Sequence, residues 1–112
     1  MKDRLLIQET TENLEFQQSL IQTAKKYFNC DASDFYFYDN GTCYLTIYLG
    51  VFRVQITVNP KTKYSPKSSM GDVYYGNFTW SNNIKDDSFE DSCRKISEFL
   101  KKQVSRIEAG LI

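Results

Sequence analysis

FYFYDNGTCYLTIYLGVFRVQITV, residues 35–58, is the stretch of sequence that decides the fold, because it places two tight-turn signals between three runs of strand-forming residues. Asn40-Gly41 is a strong signal for a two-residue hairpin, since both central positions of that turn need positive φ. Gly50-Val51 predicts a second reversal, a type II′ turn with glycine in its first central position. We therefore predict three antiparallel strands that follow one another as a meander.

The second turn sorts the side chains of the two strands that it joins. With Leu49 opposite Phe52, the pairing predicts one uniformly apolar face, because side chains alternate along a strand and cross-strand partners share a face. The apolar pairs are Ile47 with Val54, Leu45 with Ile56, and Cys43 with Val58. The opposite face carries polar and aromatic side chains, namely Tyr44, Thr46, Tyr48, Arg53, Gln55 and Thr57.

The first turn, in its two-residue form, sets the register of the first strand. It places Phe37 opposite Tyr44 and Phe35 opposite Thr46. Because cross-strand neighbours share a face, Phe35 and Phe37 are predicted to lie with Tyr44 and Tyr48 on the aromatic face.

The segments on either side complete the predicted fold. Amphipathic helices are predicted over Thr11–Phe28 and Ser88–Ala109, whose apolar residues recur at three- and four-residue steps. Lys61–Gly71 is predicted to be a long polar loop, and Val73–Ser81 a fourth strand in which Gly76 marks a bulge or a close backbone approach. Leu5–Gln8 fits either the start of a helix or an edge strand.

The predicted fold class is α+β, in the order α-β-β-β-β-α. Two helices at roughly 10 Å spacing cover one face of a four-stranded sheet. We expect both helices on the apolar face of the sheet, so that the aromatic face is at least partly open. If the helices lay on opposite faces, the aromatic residues would be core instead.

Composition limits the classes of function. The chain has 112 residues, 14 basic and 14 acidic, so we expect one domain without a general affinity for nucleic acid or anionic membranes. It has no long apolar run or signal-peptide pattern, and its three cysteines are odd in number and widely spaced. We therefore expect a soluble cytoplasmic protein with reduced thiols.

The sequence contains no histidine, which removes the usual triads, the imidazole base and the commonest metal ligand. No phosphate-binding or dinucleotide motif is present either. We expect no catalytic residues, no cofactor and no metal site. A binding protein is therefore the more natural class than an enzyme, although carboxylates, lysine and tyrosine can perform acid-base chemistry.

The first candidate site is the aromatic sheet face, because aromatic residues and arginine are enriched at the energetic centres of protein interfaces. Another protein could dock there. The same residues could instead pack beneath another segment of this chain or form ordinary cross-strand pairs. The candidate residues on this face are Phe35, Phe37, Tyr44, Tyr48, Arg53 and Gln55.

A single-stranded nucleic-acid platform is an alternative use of this face, since bases stack on aromatic rings that a sheet displays. Residues 41–70 supply four cations and no acid, a local charge of +4, against −3 for residues 1–40 and −1 for residues 71–112. The basic region is small, and no RNA-binding sequence pattern accompanies it.

Two further candidate sites lie outside the predicted sheet. The long loop brings Lys61, Lys63 and Tyr64, which could contact an acidic partner or a phosphate, or could simply be solvated. The acidic group Asp86, Asp87, Glu90 and Asp91 could bind a cation or complement a basic surface of a partner. Acidic residues are also expected there merely because they favour the start of a helix.

The leading expectation is a stoichiometric inhibitor or immunity-type protein that occludes the surface of a partner protein of the toxin or nuclease class. The comparison rests on size class and on the absence of known motifs, and no residue match supports it. A nucleic-acid-binding module and a secretion chaperone or assembly subunit are the alternatives. No membrane association is expected.

Overall fold

The structure, a computed structural model, describes residues 11–38, 42–59 and 66–110. It contains a five-stranded antiparallel sheet with an N-terminal and a C-terminal helix, which confirms the α+β class. The strands follow one another across the sheet in chain order. The elements are α1 (Thr11–Lys25), β1 (Phe35–Phe37), β2 (Cys43–Leu49), β3 (Phe52–Val58), β4 (Ser68–Tyr75), β5 (Phe78–Asn82) and α2 (Phe89–Glu108).

The two helices begin and end close to the predicted positions. Ser88 caps α2, since its hydroxyl accepts the Asp91 N–H at 3.1 Å, and Ala109 follows the last turn. The first helix ends three residues earlier than predicted. The Tyr27 N–H donates to the Ala24 carbonyl at 3.0 Å, only three residues back, so the regular α-helical pattern of bonds ends here. The Leu5–Gln8 segment lies outside the described residues.

The second predicted turn is confirmed together with its register. Leu49 pairs with Phe52, and the ladder continues to the pair Cys43 and Val58 as predicted. Gly50 has φ +61°. Val51 does not have positive φ, because Asp86 is the only described non-glycine residue that does. Positive φ at the first central position alone is the signature of a type II′ turn.

The predicted register of the first hairpin is wrong by one residue. Phe35 pairs with Leu45 and Phe37 with Cys43, and the Tyr38 N–H donates to the Thr42 carbonyl, so three residues separate the last pair of this hairpin rather than the predicted two. Both phenylalanines therefore face the helices, where they are 3% and 4% exposed. Burying each ring is worth about 1.5–3 kcal/mol, which outweighs the local preference of Asn-Gly for a two-residue turn.

The predicted fourth strand is two strands, so the predicted count of four is wrong. Tyr75 pairs with Phe78 across Gly76-Asn77, and Gly76 has φ +57°, so this glycine forms a turn rather than a bulge. The β4 strand begins at Ser68, which makes the end of the predicted loop part of the sheet. The register irregularity of the sheet lies instead between Thr57 and Val58.

Both helices pack on the same face of the sheet, and one cluster of buried side chains joins them to it. Gly71 lets α2 approach β4 closely. A Cβ atom at this position would collide with Ile84 Cδ1 and lie 2.7 Å from Ile96 Cδ1. The buried residues of this core are Leu20, Ile21, Ala24, Phe28, Cys30, Phe35, Phe37, Cys43, Leu45, Ile47, Phe52, Val54, Ile56, Val58, Val73, Ile84, Phe89, Cys93, Ile96 and Leu100.

Candidate binding face

The outer face is the surface of the sheet that is turned away from the two helices. Within the part of the chain that the structure describes, no helix or strand packs against it, and each of its side chains is at least partly exposed. Because cross-strand partners lie side by side, the register arranges these side chains in three rows. The rows are Tyr36, Tyr44, Thr57 and Met70; Thr46, Gln55, Asp72 and Ser81; and Tyr48, Arg53, Tyr74 and Thr79.

Three tyrosine rings form a cluster at the β1 edge of the outer face. The ring centroids of Tyr36 and Tyr38 are 4.7 Å apart, and those of Tyr38 and Tyr44 are 5.4 Å apart in an edge-on arrangement. Tyr36 and Tyr38 are nevertheless 44% and 41% exposed. Contacts between the rings restrict their rotamers, so a partner would meet an aromatic surface that is already ordered.

The row at the other end of the face combines aromatic rings with the one cation of the three rows. The guanidinium carbon of Arg53 lies 4.0 Å from the centroid of the Tyr74 ring, within the range of a cation–π contact. The Tyr74 hydroxyl donates to Asp72 Oδ2 at 3.4 Å. Beside Arg53, Tyr48 is 73% exposed. This row therefore offers an oriented cation next to a freely accessible ring.

The charge of the outer face is balanced. Its rows contain Arg53 and Asp72 as their only ionised side chains within the described residues, and the rest are tyrosine, threonine, serine, glutamine and methionine. Such a face can donate hydrogen bonds through hydroxyls and one guanidinium, and it can bury rings. It is poorly suited to neutralising a row of phosphates.

Of the six candidate site residues predicted on this face, four lie on it, namely Tyr44, Tyr48, Arg53 and Gln55. The other two, Phe35 and Phe37, were wrongly placed there. Their rings stack on each other at 5.7 Å within the core.

Three tyrosines of the outer face were not among the residues predicted to lie on it. Tyr36 and Tyr38 occupy the side of the chain that the predicted register gave to Phe35 and Phe37. Tyr74 follows the buried Val73, so its alternation with an apolar neighbour was an available signal.

The three loop residues Lys61, Lys63 and Tyr64 of the second candidate site lie outside the described residues. Their assignment to a partner-binding site stays a prediction.

The acidic residues at the start of α2 belong to the helix layer rather than to the outer face. Asp87 Oδ2 lies 2.6 Å from Lys95 Nζ, and Asp91 Oδ1 lies 2.9 Å from Arg94 Nη2. The hydrogen bond from Arg94 holds the pKa of Asp91 below its ordinary value. Both carboxylates therefore already have a cationic neighbour on α2. Their position at the helix start also agrees with the preference of acidic residues for the positive end of the helix dipole.

Glu90 connects α2 to the two residues that directly follow α1. It accepts a hydrogen bond from the Tyr27 hydroxyl at 2.9 Å and lies 3.6 Å from Lys26 Nζ. The hydrogen bond to Glu90 raises the pKa of Tyr27. Asp86 is exposed in the turn before α2, with φ 67°. Within the described ranges, no group of three or more potential ligands is arranged to hold a metal ion.

The three cysteines are free and buried. Burial raises the pKa of Cys43 to about 12 and also raises the pKa values of Cys30 and Cys93. A thiol with a raised pKa is neutral near pH 7 and is a poor nucleophile or metal ligand. The three cysteine side chains therefore contribute to the packing of the core.

A groove of about 490 Å³ lies between the end of α1, the turn joining β2 to β3, and α2. Leu49, Phe52, Leu100 and Val104 give it apolar walls, with Lys101 also on its lining. No carboxylate lines it among the described residues, and the titratable side chains on its lining are those of Tyr27 and Lys101.

None of the described helices combines the length and apolar character needed to cross a membrane. In comparisons with known proteins, no family model, curated protein sequence or solved structure matches this chain.

Proposed function

We propose that this chain is a small binding protein that acts stoichiometrically by docking its outer face on a partner protein. The observation that carries the proposal is the set of aromatic rings and one guanidinium on an open, charge-balanced sheet surface. The rings are those of Tyr36, Tyr38, Tyr44, Tyr48 and Tyr74, and the guanidinium is that of Arg53.

The chemistry of this surface resembles the centre of a protein interface more than an ordinary solvated face. Interface centres are enriched in tyrosine and arginine and depleted in lysine and glutamate. Tyr48 and Arg53 are neighbours on this face, and the Tyr74 ring supports the guanidinium. We expect these three residues to be the anchors, with the threonine and glutamine side chains forming polar contacts around them.

The finer proposal is that docking occludes the active or binding surface of a toxin or nuclease. Steric occlusion needs a complementary surface and no catalytic group. Free, buried thiols are typical of reducing compartments, which supports a cytoplasmic location. Balanced charge on the outer face suits a partner surface rich in hydrogen-bond acceptors and apolar area, which favours a toxin over the strongly basic active surface of a nuclease.

The experiment is affinity capture from the native host with three versions of the full chain. These are the wild type, the triple variant Y48A/R53A/Y74A, and the control K102A/R106A on the exposed side of α2. A partner of the outer face is captured by the wild type and the control and is lost with the triple variant. Calorimetry with the purified partner should show that each anchor truncation weakens binding at least about 30-fold.

Two results would count against the proposal. If no protein is captured, or if the captured protein binds the triple variant as tightly as the wild type, the outer face is not a docking surface for a partner protein. Circular dichroism and urea unfolding must show that the triple variant is fully folded under the conditions of the capture experiment, which ensures that loss of binding is not loss of folding.

Single-stranded nucleic acid is the second candidate, because Arg53 and the neighbouring rings could also stack bases. Fluorescence anisotropy with labelled oligonucleotides across a salt series separates the two proposals. Tight binding that weakens steeply with salt would support the nucleic-acid proposal, since each neutralised phosphate adds to the slope. The single cation in the described rows predicts weak binding instead.

A further inference from the structure

Among the described residues, the β5 strand, at the edge of the sheet opposite β1, has none of the usual protection of a sheet edge. Its five residues, FTWSN, include no charged residue and no proline, and its pairing with β4 is uninterrupted from Gly71 to Tyr75. Native sheets usually guard their edges with charges, proline, bulges or a covering segment. Within the described ranges, no strand or helix lies alongside β5 on its free side.

The pairing with β4 determines which backbone groups of β5 are unpaired. Tyr75 and Phe78 close a two-residue turn, so they exchange both of their hydrogen bonds. Bonded and non-bonded pairs alternate along an antiparallel ladder. Trp80 therefore bonds towards β4, whereas Thr79 and Ser81 direct their N–H and C=O groups away from the sheet.

We propose that β5 pairs with the β5 strand of a second copy of this chain, antiparallel, with Trp80 opposite Trp80 on the two-fold axis. Thr79 then lies opposite Ser81 of the second copy. Because both residues direct their backbone groups outward, this register forms two bonded pairs and four hydrogen bonds. Shifting the register by one residue would place outward groups opposite inward ones. The strand is thus complementary to itself in this register.

The side chains on the helix-facing side of β5 favour the same arrangement. Phe78 is 55% exposed and stacks on Trp80, with ring centroids 5.9 Å apart, and Trp80 contacts Phe99 of α2. Two β5 strands side by side would bring the rings of both copies into contact. A neutral strand also brings no like charges together at the two-fold axis.

The helices leave room for this association. Ile96 of α2 lies over Gly71 of β4, one strand in from the edge. In the dimer, the two β4 strands would be three strand spacings apart, roughly 14 Å, whereas packed helices are about 8–10 Å apart. The rings of Phe78 and Trp80 would line the trough between the helices. We expect an interface at the small end of specific contacts, below about 1,200 Å², and hence reversible association.

The two-fold axis would be perpendicular to the sheet, so both outer faces would lie on the same side of a continuous ten-stranded sheet. This inference does not depend on the proposed function, because it uses the strand edge and the helix-facing rings rather than the outer face.

Sedimentation velocity of the full chain from about 1 to 500 μM should show a rise from monomer to dimer, the range expected of a small reversible interface. The emission of Trp80, the only tryptophan, should shift to shorter wavelength over the same concentrations.

Two double variants test the register. T79K/S81K places lysines opposite each other in both bonded pairs and should weaken the dimer by about tenfold. T79K/S81E has the same number of new charges but places lysine opposite glutamate, so it should dimerise at least as well as the wild type. Q22K adds a charge to the exposed side of α1, outside both β5 and the outer face, and should leave association unchanged.

Three results would overturn the proposal. The first is a chain that stays monomeric to the highest concentration, which would leave the edge free or open only to a different protein. The second is a dimer that T79K/S81K does not weaken, because its interface would then lie elsewhere. The third is equal association of the two double variants, since charge pairing would then play no part and the register would be wrong. All variants must retain the far-ultraviolet spectrum of the wild type.

Discussion

The two faces of the sheet are built from the same strands and differ in almost every physical property. Leu45 on β2 is fully buried and contributes to the core, whereas its neighbour Thr46 is partly exposed on the outer face. Because successive side chains point to opposite sides, each position serves one face only. Stability and the proposed recognition are therefore separable by residue parity along β2, β3 and β4. Truncating neighbouring residues of one strand separately, one on each face, can test this separation.

The largest effect is expected from a pair of truncations at adjacent positions of β2. Leu45→Ala removes fully buried methyl groups and should lower the free energy of unfolding by about 2–5 kcal/mol. Thr46→Ala should change it by no more than about 0.5 kcal/mol. Urea unfolding of both variants makes the comparison. Similar losses at the two positions would mean that the outer face is covered, against the open face described above.

The next effect concerns Gly71 of β4, over which Ile84 and Ile96 pack closely. Gly71→Ala should destabilise the fold by about 1–3 kcal/mol, because the new methyl group collides with Ile84 Cδ1 and crowds Ile96 Cδ1. Ile84→Val removes the colliding atom. The double variant should therefore be more stable than the sum of the two single losses predicts, as urea unfolding would show. Strict additivity would contradict this account of the glycine.

A smaller effect follows from the buried thiol of Cys43. Burial raises its pKa from 9.0 to about 12, so the unfolded chain ionises first as pH rises. The stability that this thiol contributes is complete below pH 9 and is lost progressively from pH 9 towards pH 12. Between about pH 8 and pH 10, the loss due to Cys43 is about 1.4 kcal/mol.

The variant Cys43→Ala isolates this contribution. It should be less stable than the wild type at about pH 8, because it leaves a cavity. Its further loss between about pH 8 and pH 10 should be smaller than that of the wild type by about 1.4 kcal/mol, measured by urea unfolding. Parallel pH profiles for the two proteins would show that the Cys43 thiol is accessible to water in the folded state.

The two hairpins of residues 35–58 show what the sequence could and could not predict. Gly50-Val51 predicted both the turn type and every pair of its ladder, because its two-residue form also gave a uniformly apolar face. Asn40-Gly41 located the reversal but not the number of residues in it. In the two-residue form, that turn required exposed Phe35 and Phe37. The hydrophobic pattern was the better guide to register than the turn signal.

The candidate site could be predicted only in part for the same reason. Tyr44, Tyr48, Arg53 and Gln55 follow from the well-specified second hairpin, so their shared face could be inferred. The approach of Tyr74 to Arg53 depends on how β3 pairs with β4 after a long intervening loop. Local sequence does not specify the register of strands joined by a long loop. The Gly76-Asn77 signal that divides β4 from β5 was available, but Gly76 was interpreted as a bulge or a close backbone approach.

The smallest effect is the coupling between Arg53 and Tyr74 on the outer face. A double-mutant cycle with Arg53→Ala and Tyr74→Ala should give a coupling of about 0.5–1 kcal/mol, because the guanidinium lies over the ring but remains partly exposed. A control cycle that pairs Arg53→Ala with Tyr44→Ala, two rows away, should give no coupling beyond about 0.3 kcal/mol. Urea unfolding supplies both values.

The sign and size of this coupling bear on how the outer face would bind. A measurable coupling means that Tyr74 already orients the Arg53 guanidinium before any partner arrives, so less side-chain entropy is lost on docking. Equal values in the two cycles would mean that Arg53 samples many rotamers in the free protein. The partner would then have to order it, and truncating Tyr74 would weaken binding only through the area of its own ring.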